Sequence, residues 1–299
     1  MPRRLAVALV LLGGAALHGS PPAPVDVVAT TSSMGMLARA VGGDAVKITV
    51  LSPPDRDAHY LQARPSMMVA LRRADLLVAV GADLEVAWLA EALRGASNPR
   101  IFPGQSGYFE GAAQIDLIET GLVADRSRGD VHPAGNPHYY MDPERMARVA
   151  EALARRLAQL EPAGAQRFES NARTFARAVD ERLPVWKRQA AGAPGILPYH
   201  KDVNYLAALL DVPIVGYVEP LPGIPPTAAH LKELVGRLGG TSGVILYNSY
   251  HSADGPVFLA RNLGWKAQQL QLEVDLGAGG PAYLDHVGKW VTAMAGAGP

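Results

Sequence analysis

Hydrophobic positions along this chain fall into two kinds of run that take turns. Residues 25–30 and 46–51 are short and β-branched, which predicts strands. Between them, residues 34–41 have helical spacing. Thr31, Ser32 and Ser33 can start that helix, and Gly42-Gly43-Asp44 stops it. Pro65-Ser66 opens a helix through Arg73, and Leu76-Leu77-Val78-Ala79-Val80 reads as a strand buried on both faces. Residues 84–93 are helical, with short strands predicted near Ile101 and over 114–118. Strands alternating with helices imply βαβ units and a parallel sheet.

From Pro143 the rhythm becomes purely helical. Met146, Val149, Ala150, Leu153, Leu157 and Leu160 share one face, and Pro162-Ala163-Gly164 breaks the run. A second stripe follows in Phe168, Ala172, Phe175, Val179, Leu183 and Trp186, with Glu169, Arg173, Arg177, Asp180 and Lys187 facing away. Pro184 is expected to kink or end this helix. After Gly192 the alternation returns: strands over 195–200, 212–218, 244–247 and 266–272, and helices over 202–210, 228–238, 255–263 and 283–294. Thr227 caps the second of these helices. The pattern predicts an α/β protein of two similar lobes, each a mostly parallel sheet with helices, joined by one long helix. The lobes span 25–164 and 192–299, and the linking helix 165–191.

Composition narrows the class. At 299 residues the chain exceeds what one core usually organises. It is 48% hydrophobic with 28 basic and 28 acidic residues, so no basic field points to nucleic acid. Arg3 and Arg4 precede an apolar run over 5–17, then small residues and Pro21-Pro22. This reads as a cleaved signal peptide over 1–22 and an address in the periplasm. With no cysteine, disulfides, thiolate metal sites and a lipid anchor on cysteine are all excluded. A metal site would have to use His, Asp or Glu.

In open α/β sheets ligands bind beyond the carboxyl ends of the strands. His59, His138, His200, Glu219 and Asp275 all stand at such positions in the predicted order. His138 is held between Pro137 and Pro143 just ahead of a helix, with Asp142 as N-cap, an arrangement that fixes the direction of an imidazole. A loop histidine taken singly is usually a solvated one. Three of them, each after a strand and split between two lobes, point jointly to a borderline cation such as Zn²⁺ held in a cleft. His18 belongs to the leader, His230 and His286 read as surface helix positions, and His251 as an ordinary turn residue. His132 is near the cleft by chain position, but in its short polar loop it reads as solvated first, with metal capture as the lesser reading. Asp275 can equally cap the turn before Gly277, and Glu219 the proline loop. Tyr139, Tyr140, Tyr199 and Tyr205 read as packing around the site.

At these residues the chain resembles the solute-binding proteins of zinc and manganese ABC transporters. The resemblance rests on Asp57-Ala58-His59 with Arg64-Pro65-Ser66, on residues 74–78, on Asn136-Pro137-His138 with Met141-Asp142-Pro143, and on Tyr199-His200-Lys201-Asp202 with Asn204-Tyr205. It implies two α/β lobes joined by one rigid helix, with His59, His138 and His200 as metal ligands. It further implies an acidic fourth ligand, best matched by Asp275, with Glu219 or a water as alternatives. The long histidine-rich loop of some zinc members is absent. The implied role is capture of Zn²⁺, with Mn²⁺ less favoured by a nitrogen-rich site, and delivery to a membrane permease. The protein is expected to be a monomer and not an enzyme, and a periplasmic metallochaperone would be a natural donor. A zinc hydrolase is the rival class, but no His-Glu-x-x-His helix is present.

Overall fold

The N-terminal sheet starts at β1 (Val25–Ala29), whose alternate residues are β-branched and almost wholly buried. The computed structural model describes residues 23–121 and 131–296; the expected signal segment at 1–22 lies outside the described residues. β1 pairs in parallel with β2 (Val46–Val50) on one side and β3 (Leu76–Ala79) on the other. β4 (Tyr108–Glu110) adds to β3, giving the order β2-β1-β3-β4. The crossovers run through α1 (Ser32–Gly42), α2 (Pro65–Arg73) and α3 (Leu89–Ala96). α1 is capped by Thr31, whose side chain accepts from the Met34 N–H. The second sheet is parallel too, in the order β5 (Gly195–Pro198), β6 (Gly243–Asn248), β7 (Lys266–Leu270). Its helices are α6 (Asn204–Leu209), α7 (Ala228–Leu238), α8 (Asp254–Leu263) and α9 (Gly280–Met294).

Three expected strands differ. Ile101 lies in a 3-10 turn (Pro99–Ile101) entered through an Asn98 cap, where Pro99 has no N–H to offer a ladder. Residues 114–118 form no strand; the edge strand is Tyr108–Glu110, only three residues between Gly107 and Gly111 and too short to carry a period. Residues 212–218 run extended beside β5 but make only the bridge Ile196–Ile214, because Pro213 cannot donate and Gly216 turns to φ +154°.

Between the sheets lie α4 (Pro143–Leu160) and α5 (Ala165–Ala190), joined by a turn at Pro162–Gly164. The predicted stripe of α5 is the buried one, from Phe168 to Trp186 and on to Ala190. Pro184 does not end the helix. A proline in a helix interior costs about 3 kcal/mol. Burying Phe168, Phe175, Val179, Leu183 and Trp186 contributes roughly 1.5–3 kcal/mol each, which outweighs it. Pro184 and Asp180 are both exposed, so the carbonyl that loses its partner is hydrated.

One hydrophobic cluster runs through both lobes. It joins Val27, Met34 and Val78 on the first sheet side to Phe168 and Trp186 of α5, and on to Ile196, Val244 and Trp290 of the second lobe. Polar clamps reinforce the junction. The Glu273 carboxylate, in the loop after β7, accepts from the Ser33 N–H (2.7 Å) and the Ser32 hydroxyl (3.1 Å) at the N-terminus of α1. Tyr283 of α9 donates to the Tyr140 carbonyl, and Tyr205 of α6 to the Asn136 carbonyl.

Candidate metal centre

His59 and His138 are positioned by the same local device. Each opens or sits in a 3-10 turn (Ala58–Tyr60 and His138–Met141). In each, the residue two positions earlier accepts two hydrogen bonds from the histidine, one from its backbone N–H and one from its ring. Asp57 Oδ1 takes the His59 N–H at 2.9 Å and Nδ1 at 2.6 Å. Asn136 Oδ1 takes the His138 N–H and Nδ1, both at 2.9 Å, while its amide nitrogen donates to the Lys201 carbonyl of the other lobe. His200 follows β5, and its Nδ1 donates to Glu219 Oε1 at the end of the adjacent extended segment. The other Glu219 oxygen accepts from the Gly223 N–H.

In all three cases an oxygen acceptor holds the Nδ1 proton, which makes Nε2 the nitrogen left to meet an ion. The rings converge: centroids lie 5.2 Å apart for His59–His138, 5.0 Å for His138–His200 and 5.6 Å for His59–His200. One nitrogen from each lies within 4.8 Å of the others. A tetrahedral ion with ~2.0–2.1 Å bonds needs its ligand nitrogens about 3.3 Å apart, so a small inward movement closes the site.

The electrostatics suit a cation that brings its own charge. Burial, followed by the neighbouring His200, His59 and His132, holds His138 well below the usual histidine range. Burial opposes a charge on His200 too, but the hydrogen bond and charge of Glu219 outweigh it and push the ring to about 9. Burial also opposes the Asp57 carboxylate, and the His59 hydrogen bond and charge win, bringing it down to about 2. Asp57 and Glu219 thus stand as two carboxylates directly behind the ring nitrogens, enough to balance one divalent ion. Around them Tyr139, Tyr140 and Tyr205 are almost fully buried, as packing residues should be. Asp202 is buried against the Asn248 amide, and desolvation raises it to about 6.

A surface cleft of about 560 Å³ opens beside the residues that precede and follow His59, with Arg56, Gln62, Arg64, Ser249 and Tyr250 in its lining. It also touches Asp57.

Asp275 is not brought together with the trio. It is exposed, and its carboxylate accepts from the Gln271 amide at 3.0 Å. The inward-facing acid of that loop is Glu273, which is spent on α1. His132 departs from its reading in the opposite sense. It is mostly buried, and its Nε2 lies 3.2 Å from His59 Nε2. A motif search could not find it, since the contact depends on backbone pairings between 118–121 and 133–136 that bring His132 beside His59. His251 is no ordinary turn residue either: it stacks on Tyr199 at 4.0 Å and its Nδ1 accepts from the Asn248 N–H.

Two parallel-sheet lobes around a histidine-lined centre define the divalent-metal-binding component of an ABC importer. The chain belongs to the ZnuA family, described as zinc-uptake complex component A, periplasmic, whose profile matches residues 27–297. Among relatives, the high-affinity zinc uptake system protein ZnuA of Yersinia pestis is 25% identical over 241 residues, 75% of this chain and 76% of that one. A manganese ABC transporter substrate-binding lipoprotein, ScaA of Streptococcus gordonii, is 21% identical over 249 residues, 80% of this chain and 76% of that one. In fold, a crystal structure of ZnuA superposes with a TM-score of 0.75 at 21% identity, covering 92% of this chain and all of that one. The FpvC binding protein of Pseudomonas aeruginosa, in complex with Mn²⁺, gives 0.75 at 19% identity, covering 92% and 98%.

Proposed function

We propose that the protein captures Zn²⁺ through His59, His138 and His200 in the periplasm, after removal of its signal peptide, and passes it to the membrane permease of an ABC importer. The carrying observation is the pattern of ring nitrogens: three Nδ1 atoms each held by an oxygen, and one nitrogen from each ring within 4.8 Å of the others. Nitrogen donors favour Zn²⁺ over Mn²⁺, which binds most weakly of the divalent series and prefers oxygen. Glu219 acts on His200 rather than on the ion. Asp275 would serve as fourth ligand only if its loop turned inward. Asp57 and Glu219 are both engaged by imidazole, so neither is free to act as the general base that a hydrolase would need.

Metal content of the purified protein, followed by competitive titration of Zn²⁺ against Mn²⁺, tests this reading. The expected result is one tightly held zinc, displaced poorly by manganese and lost in His59→Ala, His138→Ala and His200→Ala. Preference for manganese, or unchanged zinc binding in these variants, refutes it.

A further inference from the structure

We infer that His132 is the fourth ligand, so that the captured ion sits among four imidazoles. This deepens the reading above and rests on it. The 3.2 Å between His132 Nε2 and His59 Nε2 matches the ligand–ligand edge of about 3.3 Å that a tetrahedral ion with ~2.0 Å bonds requires. The His132 ring also lies 5.1 Å from His59 and 6.4 Å from His138.

The placement is built into the backbone. Two hydrogen bonds tie residues on either side of the loop base, Gly121 N–H to the Pro133 carbonyl and Asn136 N–H to the Ile118 carbonyl. The Gly135 N–H then closes a turn onto the His132 carbonyl, with Pro133 fixing its second position. Gly135 sits at φ +126°, with Leu117 and the Ile118 carbonyl where a side chain would project. His132 is therefore the first residue of a pinned turn, six residues before His138.

Its surroundings fit a ligand better than a solvated residue. The Nδ1 atom is buried with no hydrogen-bond partner. A proton on that atom makes Nε2 the nitrogen left to meet an ion, as in the other three rings. The neighbouring backbone is Gly81-Ala82-Asp83, three consecutive residues at φ +84°, +50° and +64°. That left-handed run is held by the buried Glu85 carboxylate, which accepts from the Val80 and Gly81 N–H groups, and by Glu110, which accepts from Ala82. Strain of this kind persists where the surroundings over-determine it, commonly beside a binding site.

A fourth neutral nitrogen in place of a carboxylate has a chemical consequence. The site keeps no oxygen donor, so discrimination against Mn²⁺ sharpens in favour of zinc and its late first-row neighbours.

The two rings could instead share an N–H···N hydrogen bond with no role in capture. X-ray absorption of the zinc-loaded protein separates the two cases. We expect four imidazoles in the wild type and three in His132→Ala and His132→Gln. Zinc affinity should fall by at least ~10–100-fold, more than for loss of an outer partner, and the zinc-to-manganese preference should narrow. Asp275→Ala should change none of these. Metal-free melting temperatures, unchanged in both His132 variants, exclude a folding defect as the cause. Three imidazoles in the wild type, or wild-type affinity in His132→Ala, overturns this inference and leaves the three-histidine reading standing. A wild type that takes up no zinc overturns both.

Discussion

Removing the Glu219 carboxylate should weaken zinc capture by an amount that depends strongly on pH. Two opposing effects meet at His200. Glu219 orients the ring by accepting its Nδ1 proton, and loss of such a partner typically lowers metal affinity ~10–100-fold. The same carboxylate holds His200 at about 9, so in metal-free protein at pH 7 the ring is charged and must lose its Nε2 proton before an ion can bind. Nine minus seven is about two units, which is on the order of 100-fold in affinity. In Glu219→Gln the amide oxygen is a weaker, neutral acceptor for Nδ1, so the firm orientation of the ring is lost along with the charge. Burial then lowers the proton affinity of the ring and the competition at pH 7 fades. At pH 7 the two effects nearly cancel; at pH 9 only the orientation loss remains. Competition with a chromophoric chelator at pH 7, 8 and 9 reads this directly. Calorimetry in buffers of different ionisation heat counts the released proton. Wild type should gain about tenfold per unit from pH 7 toward 9 from this ring, and the variant much less. An equal fold loss at pH 7 and pH 9 would refute the argument.

Glu273→Ala should destabilise the metal-free protein by about 1–3 kcal/mol, because it leaves the buried Ser33 N–H without its acceptor while the Ser32 hydroxyl keeps the Val274 carbonyl; Glu273→Gln, which keeps one oxygen, should lose less in a denaturant titration. Gly111→Ala should lose a similar amount, about 2–4 kcal/mol, since the added carbon would fall 2.1 Å from the Tyr139 hydroxyl and break its bond to the Val80 carbonyl. Thermal melts of that variant should drop by several degrees; an unchanged melt would show that Tyr139 can move aside. His286 is held below its usual range by burial, so the unfolded chain binds more protons there and stability falls as pH drops through 6.5. In urea titrations with a chelator present, His286→Gln should lose less stability than wild type between pH 7.5 and 5.5.

The elements that could be read from the chain are those whose signal is local. The α5 stripe, the Asp142-Pro143 start of α4 and the Thr227 cap of α7 all rest on neighbours within a few residues, and all are present. The Nδ1 anchors of His59 and His138 are equally local, two residues back in each case, although the chain alone gave Asp57 and Asn136 no such role. What escaped depends on distant partners. Glu219 looked like a rival ligand because nothing local ties it to the His200 ring. His132 looked solvated because its burial comes from a loop closed onto residues more than ten positions earlier, and from a strained turn after β3. Asp275 sits beside the acid that does turn inward, and only the position of α1 distinguishes Asp275 from Glu273. Pro184 misled for an energetic reason: the penalty of a proline is local, while the burial that overrides it is spread along the helix.

The continuous apolar cluster has a consequence for how the molecule folds and fails. α5 packs against α1 and α4 of the first lobe and α9 of the second, so the largest apolar cluster belongs to both halves, although each also has a smaller cluster of its own. The whole should therefore melt in a single cooperative step, and α9, which supplies Tyr283, Trp290 and Val291 to that interior, is the last piece both halves wait for. A chain cut before α9 would expose the apolar face that α5 turns toward it and lose the shared part of its interior, rather than stand as half a receptor.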